Sequence, residues 1–166
     1  GYPDERYMKI IRDLQPAQAT LVPDPPNILT SNNGWNIEKE MDRLKAIIDQ
    51  LHENGTRVSI FVNADEKSVN DAVKTGTDRI ELYTGPFASQ FGTNPNHAIK
   101  GYVNAAKIAG QAGLSVNAGH DLNLDNLPFF SAQVKPLAEV SIGHAIISDA
   151  LYYGIEDTIK KYKSCF

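Results

Sequence analysis

The sequence has a single cysteine, Cys165, next to its last residue, so no internal disulfide and no cysteine-built zinc site is available to it. It has no apolar run approaching the roughly 18 residues of a membrane span. Its opening residues, Gly1-Tyr2-Pro3-Asp4-Glu5-Arg6, lack the basic start and apolar middle of a signal peptide. A basic excess is missing too: 16 Lys and Arg against 20 Asp and Glu give a net charge of −4, which argues against a general nucleic-acid surface but leaves room for a local phosphate pocket. There is no glycine-rich nucleotide loop and no nucleophile elbow. The four histidines, His52, His97, His120 and His144, show no i, i+4 pairing, so no metal is expected. A cytoplasmic location follows as the default expectation. With 42% hydrophobic residues in 166, it can bury a substantial core as one domain or as part of a larger one.

What is present alternates. Short apolar or β-branched runs at 19–23, 57–62, 79–83, 114–117 and 139–142 predict five strands. Between them, Ile37, Met41, Leu44, Ile47, Ile48 and Leu51 recur at helical spacing over Trp35–Asn54. A second helix is expected after Asp65, stopping near Thr75-Gly76, and a third from about Pro95 to Ala112. Residues 124–134, interrupted by Pro128, fit one or two helical turns. A last helix is expected from about Ile147 to Lys163, its basic end suiting the helix dipole or simply facing solvent. Residues 1–8 look like a loop and first helical turn following a strand.

Alternating strands and helices imply a parallel sheet, either doubly wound or closed as a (β/α)8 TIM barrel. Polar residues and glycines collect after the strands, at Pro23-Asp24, Asn63-Ala64-Asp65, Thr84-Gly85, Gly119-His120 and Gly143-His144. Several strands feeding one face favours the barrel, whose active sites are built from those loops. A barrel needs eight strands and typically about 250 residues. The expectation is therefore that residues 1–166 form a single domain supplying the last five strand-helix units.

Two strand endings carry most of the chemical signal, Val116-Asn117-Ala118-Gly119-His120-Asp121-Leu122 and Val140-Ser141-Ile142-Gly143-His144-Ala145. Glycine lets a backbone approach a ligand, and histidine donates, accepts or carries a proton. His120 is a candidate general acid or base, or a structural histidine. Gly143-His144 opens the last helix, where exposed amides can bind phosphate, or else Gly143 permits a turn and His144 caps or packs. Glu81 interrupts an apolar strand and must be offset by an ion pair or a substrate contact, or else it occupies a polar interior layer. Thr30, in the polar loop Ile28–Gly34, belongs to a ligand loop or caps a helix.

Taken in order and with their spacing, Ala19–Pro23, Arg57–Val62, Ile80–Gly85, Val116–Leu122 and Ile142–Ala145 resemble the pyridoxine 5′-phosphate synthase family from end to end. The resemblance implies a TIM barrel that condenses 1-deoxy-D-xylulose 5-phosphate with 3-amino-2-oxopropyl phosphate to pyridoxine 5′-phosphate, phosphate and water. It implies no metal or organic cofactor, phosphorylated small-molecule substrates, and a homo-octamer. It also implies His120 as the proton donor, with Asp121 as the adjacent ligand contact. Gly143 and His144 then bind product phosphate through their backbone, Thr30 touches substrate from its loop, and Glu81 lies beside the reacting groups. The family's other acid-base groups and its phosphate-binding arginines would fall before Gly1, so residues 1–166 alone are expected to be inactive. Another phosphosugar barrel, of epimerase or aldolase type, and a non-catalytic phosphate-binding fragment are the alternatives; a Schiff-base lysine or paired metal-ligating histidines would favour the former.

Overall fold

The computed structural model describes residues 3–25 and 27–166. Of the opening segment expected as loop and helical turn, Gly1 and Tyr2 lie outside the described residues. From Asp4 the expectation holds: its side chain accepts from Tyr7 N at 2.8 Å and caps α1 (Glu5–Leu14).

The five strands are β1 (Gln18–Leu21), β2 (Arg57–Val62), β3 (Arg79–Tyr83), β4 (Ser115–Gly119) and β5 (Glu139–Ser141). All pair in parallel and in chain order. A doubly wound sheet reverses its strand order at a switch point. This one runs in one direction and curls as part of a barrel. The intervening helices are α2 (Ile37–Glu53), α3 (Glu66–Val73), α4 (Gly85–Phe91), α5 (Pro95–Ala98), α6 (Lys100–Gln111) and α7 (Leu127–Gln133). No helix among the described residues is long and apolar enough to cross a membrane.

Each strand has two unlike faces, because successive side chains point to opposite sides. Val58, Ile60, Val62, Ile80, Leu82, Val116 and Ala118 join the core shared with the helices. Leu44, Ile48 and Leu51 of α2 meet them at helical spacing and are fully buried. Each such side chain removed from water contributes roughly 1.5–3 kcal/mol. The alternate residues are mostly polar. Arg79 on β3 pairs with Glu139 on β5 at 2.9 Å and bonds Asn117 on β4 at 3.1 Å. Asn117 in turn donates to Glu139 at 3.2 Å, and Arg57 on β2 reaches Glu139 at 3.7 Å. The strands that the sequence presents as mostly apolar therefore hide a polar, concave face.

Two elements differ from expectation. The single helix expected over 147–163 is two, α8 (His144–Tyr153) and α9 (Ile155–Lys163). Gly154 between them has φ 76° and ψ 152°, a conformation that breaks the helix and that essentially only glycine tolerates. The third helix is also split, α5 and α6 meeting at Ile99. In addition, Thr84-Gly85 is more than a polar strand ending, since it starts α4.

Candidate functional site

Beyond the C-terminal ends of β3, β4 and β5 lies a cleft of about 720 Å³. Glu81, His120, Asp121, Gly143 and His144 all line it, with Leu122, Asn123, Ser141, Ile142 and Ala145. Three consecutive strand ends thus bring five of the six sequence-derived candidates together. Thr30 is exposed and stands outside that lining. Its loop is tied beside Thr30, where Ser31 Oγ donates to Asp24 Oδ2, and at the far end, where Gly34 N donates to Asn63 Oδ1 at 3.0 Å and Trp35 Nε1 to Leu21 O at 2.8 Å.

Glu81 lies on the concave face of β3 with 8% of its surface exposed. Burial pushes its carboxyl above the usual carboxylate range, while the hydroxyls of Thr20 and Ser141 restrain the shift and the Glu139 carboxylate adds to it. Thr20 Oγ1 donates to Glu81 Oε2 at 3.3 Å. The space for the carboxylate exists because residue 119 is glycine: a Cβ there would stand 2.5 Å from Glu81 Oε1.

His120 follows β4 directly. Its ring packs edge-on against Tyr83, with centroids 5.4 Å apart, and against Phe61 at 5.8 Å. Phe61 is buried yet belongs to the concave face, one strand from Glu81 with which it is in register. The imidazole therefore has an aromatic wall behind it and the cleft in front. His120 and Asp121 have φ of 92° and 56°, so the turn that presents them is left-handed.

Gly143 and His144 start α8, as N-cap and first residue. Apart from Gly143 and its two chain neighbours, no atom of the described residues lies within 4 Å of where a Gly143 Cβ would stand, so the backbone there is open to a ligand. Unbonded N–H groups of a helix's first turn favour an anion. Among the described residues, no three His, Cys, Asp or Glu side chains gather in a way that could hold a metal ion.

The sequence reading missed Thr20, Phe61, Tyr83 and Ser141. Their one available signal is the period of two: each lies on the polar side of its strand, as Glu81 does.

Parallel strands in barrel order, with polar side chains gathered in a cleft past their C-terminal ends, define the α/β-barrel class of enzyme. The solved Amycolatopsis orientalis BexX/CysO complex shares that fold, with a TM-score of 0.52 over 96% of this chain and 62% of that one at 15% identity. The family model described as "Pyridoxal phosphate biosynthesis protein PdxJ" matches residues 1–166, and the chain belongs to this family of vitamin B6 biosynthetic enzymes. Curated relatives called pyridoxine 5′-phosphate synthase include one from Porphyromonas gingivalis, 49% identical over 98% of this chain and 68% of its own length. Another, from Parabacteroides distasonis, is 49% identical over 99% of this chain and 69% of its own length.

Proposed function

We propose that the cleft takes part in the ring closure that makes pyridoxine 5′-phosphate from 1-deoxy-D-xylulose 5-phosphate and 3-amino-2-oxopropyl phosphate, with His120 as proton donor. The observation that carries this is the convergence of His120, Glu81 and Gly143-His144 on one cleft from three neighbouring strand ends. Ring formation requires imine formation, loss of phosphate, addition of water and eliminations, and therefore several proton transfers on one bound intermediate. An imidazole walled by Phe61 and Tyr83 is held in place for such a transfer. Phosphate held on the open backbone of Gly143 and His144 supplies binding energy away from the reacting carbons and keeps them in attacking geometry. Glu81, buried and hydrogen-bonded, provides a carboxyl beside the reacting groups, and Asp121 contacts the ligand next to the donor. A contact from Thr30 is carried by the family resemblance alone.

The same reading gives an enzyme of the cytoplasm that acts on phosphorylated small molecules without metal or organic cofactor, assembles as a homo-octamer, and binds neither membrane nor nucleic acid. The test is His120→Ala in the protein expressed from its full reading frame, followed by the rate of pyridoxine 5′-phosphate formation. Loss of a general acid should lower turnover by about 10²- to 10⁴-fold. An unchanged rate would sink the assignment.

A further inference from the structure

His120 and Asp121 both occupy the left-handed region, with φ of 92° and 56°, where side chains other than glycine are strained. Such a pair persists only when its surroundings hold it. Three successive carbonyls here are each met by a donor from outside the turn. Gly119 O accepts from Thr84 N at 2.9 Å, His120 O accepts from Thr84 Oγ1, and Asp121 O accepts from Asn126 Nδ2 at 3.1 Å. Thr84 Oγ1 also lies 2.6 Å from Gly119 O. A carbonyl oxygen has two lone pairs and a hydroxyl one proton, so Thr84 Oγ1 shares its proton between Gly119 O and His120 O, the two carbonyls that lead into the turn.

Thr84 stands at the N-cap of α4, where a threonine side chain ordinarily caps the helix. Its hydroxyl makes no cap bond and is turned across to the β4 ending instead. It is also fully buried, a place that valine would fill with the same shape and no polar atom to satisfy. Asn126, 3% exposed, accepts from Asn123 N at 2.9 Å through Oδ1 and so has its amide oriented for Asp121.

We propose that Thr84 and Asn126 are positioning residues that clamp the His120–Asp121 turn from two sides and thereby aim the imidazole into the cleft. The proposal rests on His120 being the proton donor. Neither residue lines the cleft, so weakening the clamp misdirects the proton and leaves the hold on substrate phosphate alone.

The experiment measures kcat and KM for Thr84→Val, Thr84→Ser, Asn126→Asp and His120→Ala in the protein expressed from its full reading frame. Thr84→Val should lose about 10- to 100-fold in kcat, the cost of a small misplacement of a reacting group, with KM nearly unchanged. Thr84→Ser, which keeps the hydroxyl, should restore most of it, and Asn126→Asp, which keeps the acceptor and loses the donor, should resemble Thr84→Val. A near-normal kcat in Thr84→Val beside an inactive His120→Ala overturns the clamp and leaves the proton donor standing. If His120→Ala remains active, the donor assignment falls instead. The clamp is then decided by the ring-proton NMR contacts of His120 with Tyr83 and Phe61, lost in Thr84→Val if it exists and unchanged if it does not. Should Thr84→Val not fold, Thr84→Ser and Asn126→Asp decide: a normal former with an impaired latter supports the clamp, and equal behaviour overturns it.

Discussion

Glu81 sits among the Thr20 hydroxyl, the bare Cα of Gly119 and the Ser141 side chain, and its folded environment favours the protonated acid. In the unfolded chain the same carboxyl ionises near its ordinary value of 4.5. As pH rises past that point the folded state must ionise a buried group that the unfolded state ionises freely. The stability attached to the neutral acid is present below that value and is lost as pH climbs through the higher folded one. Glu81→Gln removes this loss. Its melting temperature should fall less than the parent's between about pH 5 and pH 8. Parallel melting curves across that range would contradict the assignment. Glu81, His120, Asp121, Gly143 and His144 are visible in the sequence because each interrupts or ends an apolar run. Thr20 and Thr84 are ordinary residues locally. Their partners lie 61 and 36 residues away, and only the folded sheet joins them.

At the scale of elements, the loop from β1 to α2 is fastened by contact with β2. Trp35 N donates to Phe61 O at 3.0 Å, and the Gly34 backbone lies so close that a Cβ would stand 2.4 Å from Asn63 N and 2.6 Å from Val62 C. Backbone atoms of a central strand cannot give way as a flexible side chain would. Gly34→Ala should therefore cost about 1–3 kcal/mol, as overpacking does, read as a lowered urea midpoint. A midpoint equal to the parent's would mean that the loop can lift. Element type was largely legible, since β2 and β3 span the residues that the sequence pattern marks, 57–62 and 79–83. Breaks were less so. Gly154 sits in a pattern that continues to Lys163, and one glycine inside a helical pattern is often tolerated. Only its positive φ, which the sequence does not display, separates α8 from α9. Residues 85–91 show no strong apolar periodicity, and α4 is held by Phe87 packing on Tyr102 and Phe130.

Across the whole molecule the five strands are tied by apolar packing under the helices, and β2 to β5 a second time by a charged network on the concave side. Glu139 is the hub of the second tie, receiving Arg79, Arg57 and Asn117 from three other strands. Glu139→Gln leaves the largely buried Arg79 guanidinium, 13% exposed at its side chain, without its counter-charge. The expected loss is about 1–3 kcal/mol in chemical denaturation, and a loss near zero would mean that solvent screens the network as it does surface pairs. The barrel architecture could be inferred from chain order and loop chemistry. The network could not, because Arg57, Arg79 and Glu139 mark the starts of strands in the sequence and read there as solvent-facing flanks.

That division between the two sides of each strand bears on how such a chain can change over time. Odd and even positions answer to different masters: one set must stay oily to keep the helices seated, and the other must stay compatible with a reacting, phosphorylated guest. A lineage can repack the first set without touching its chemistry, or alter its chemistry without loosening the scaffold. Five-residue strands such as Arg79–Tyr83 thus carry two separately editable texts, interleaved letter by letter.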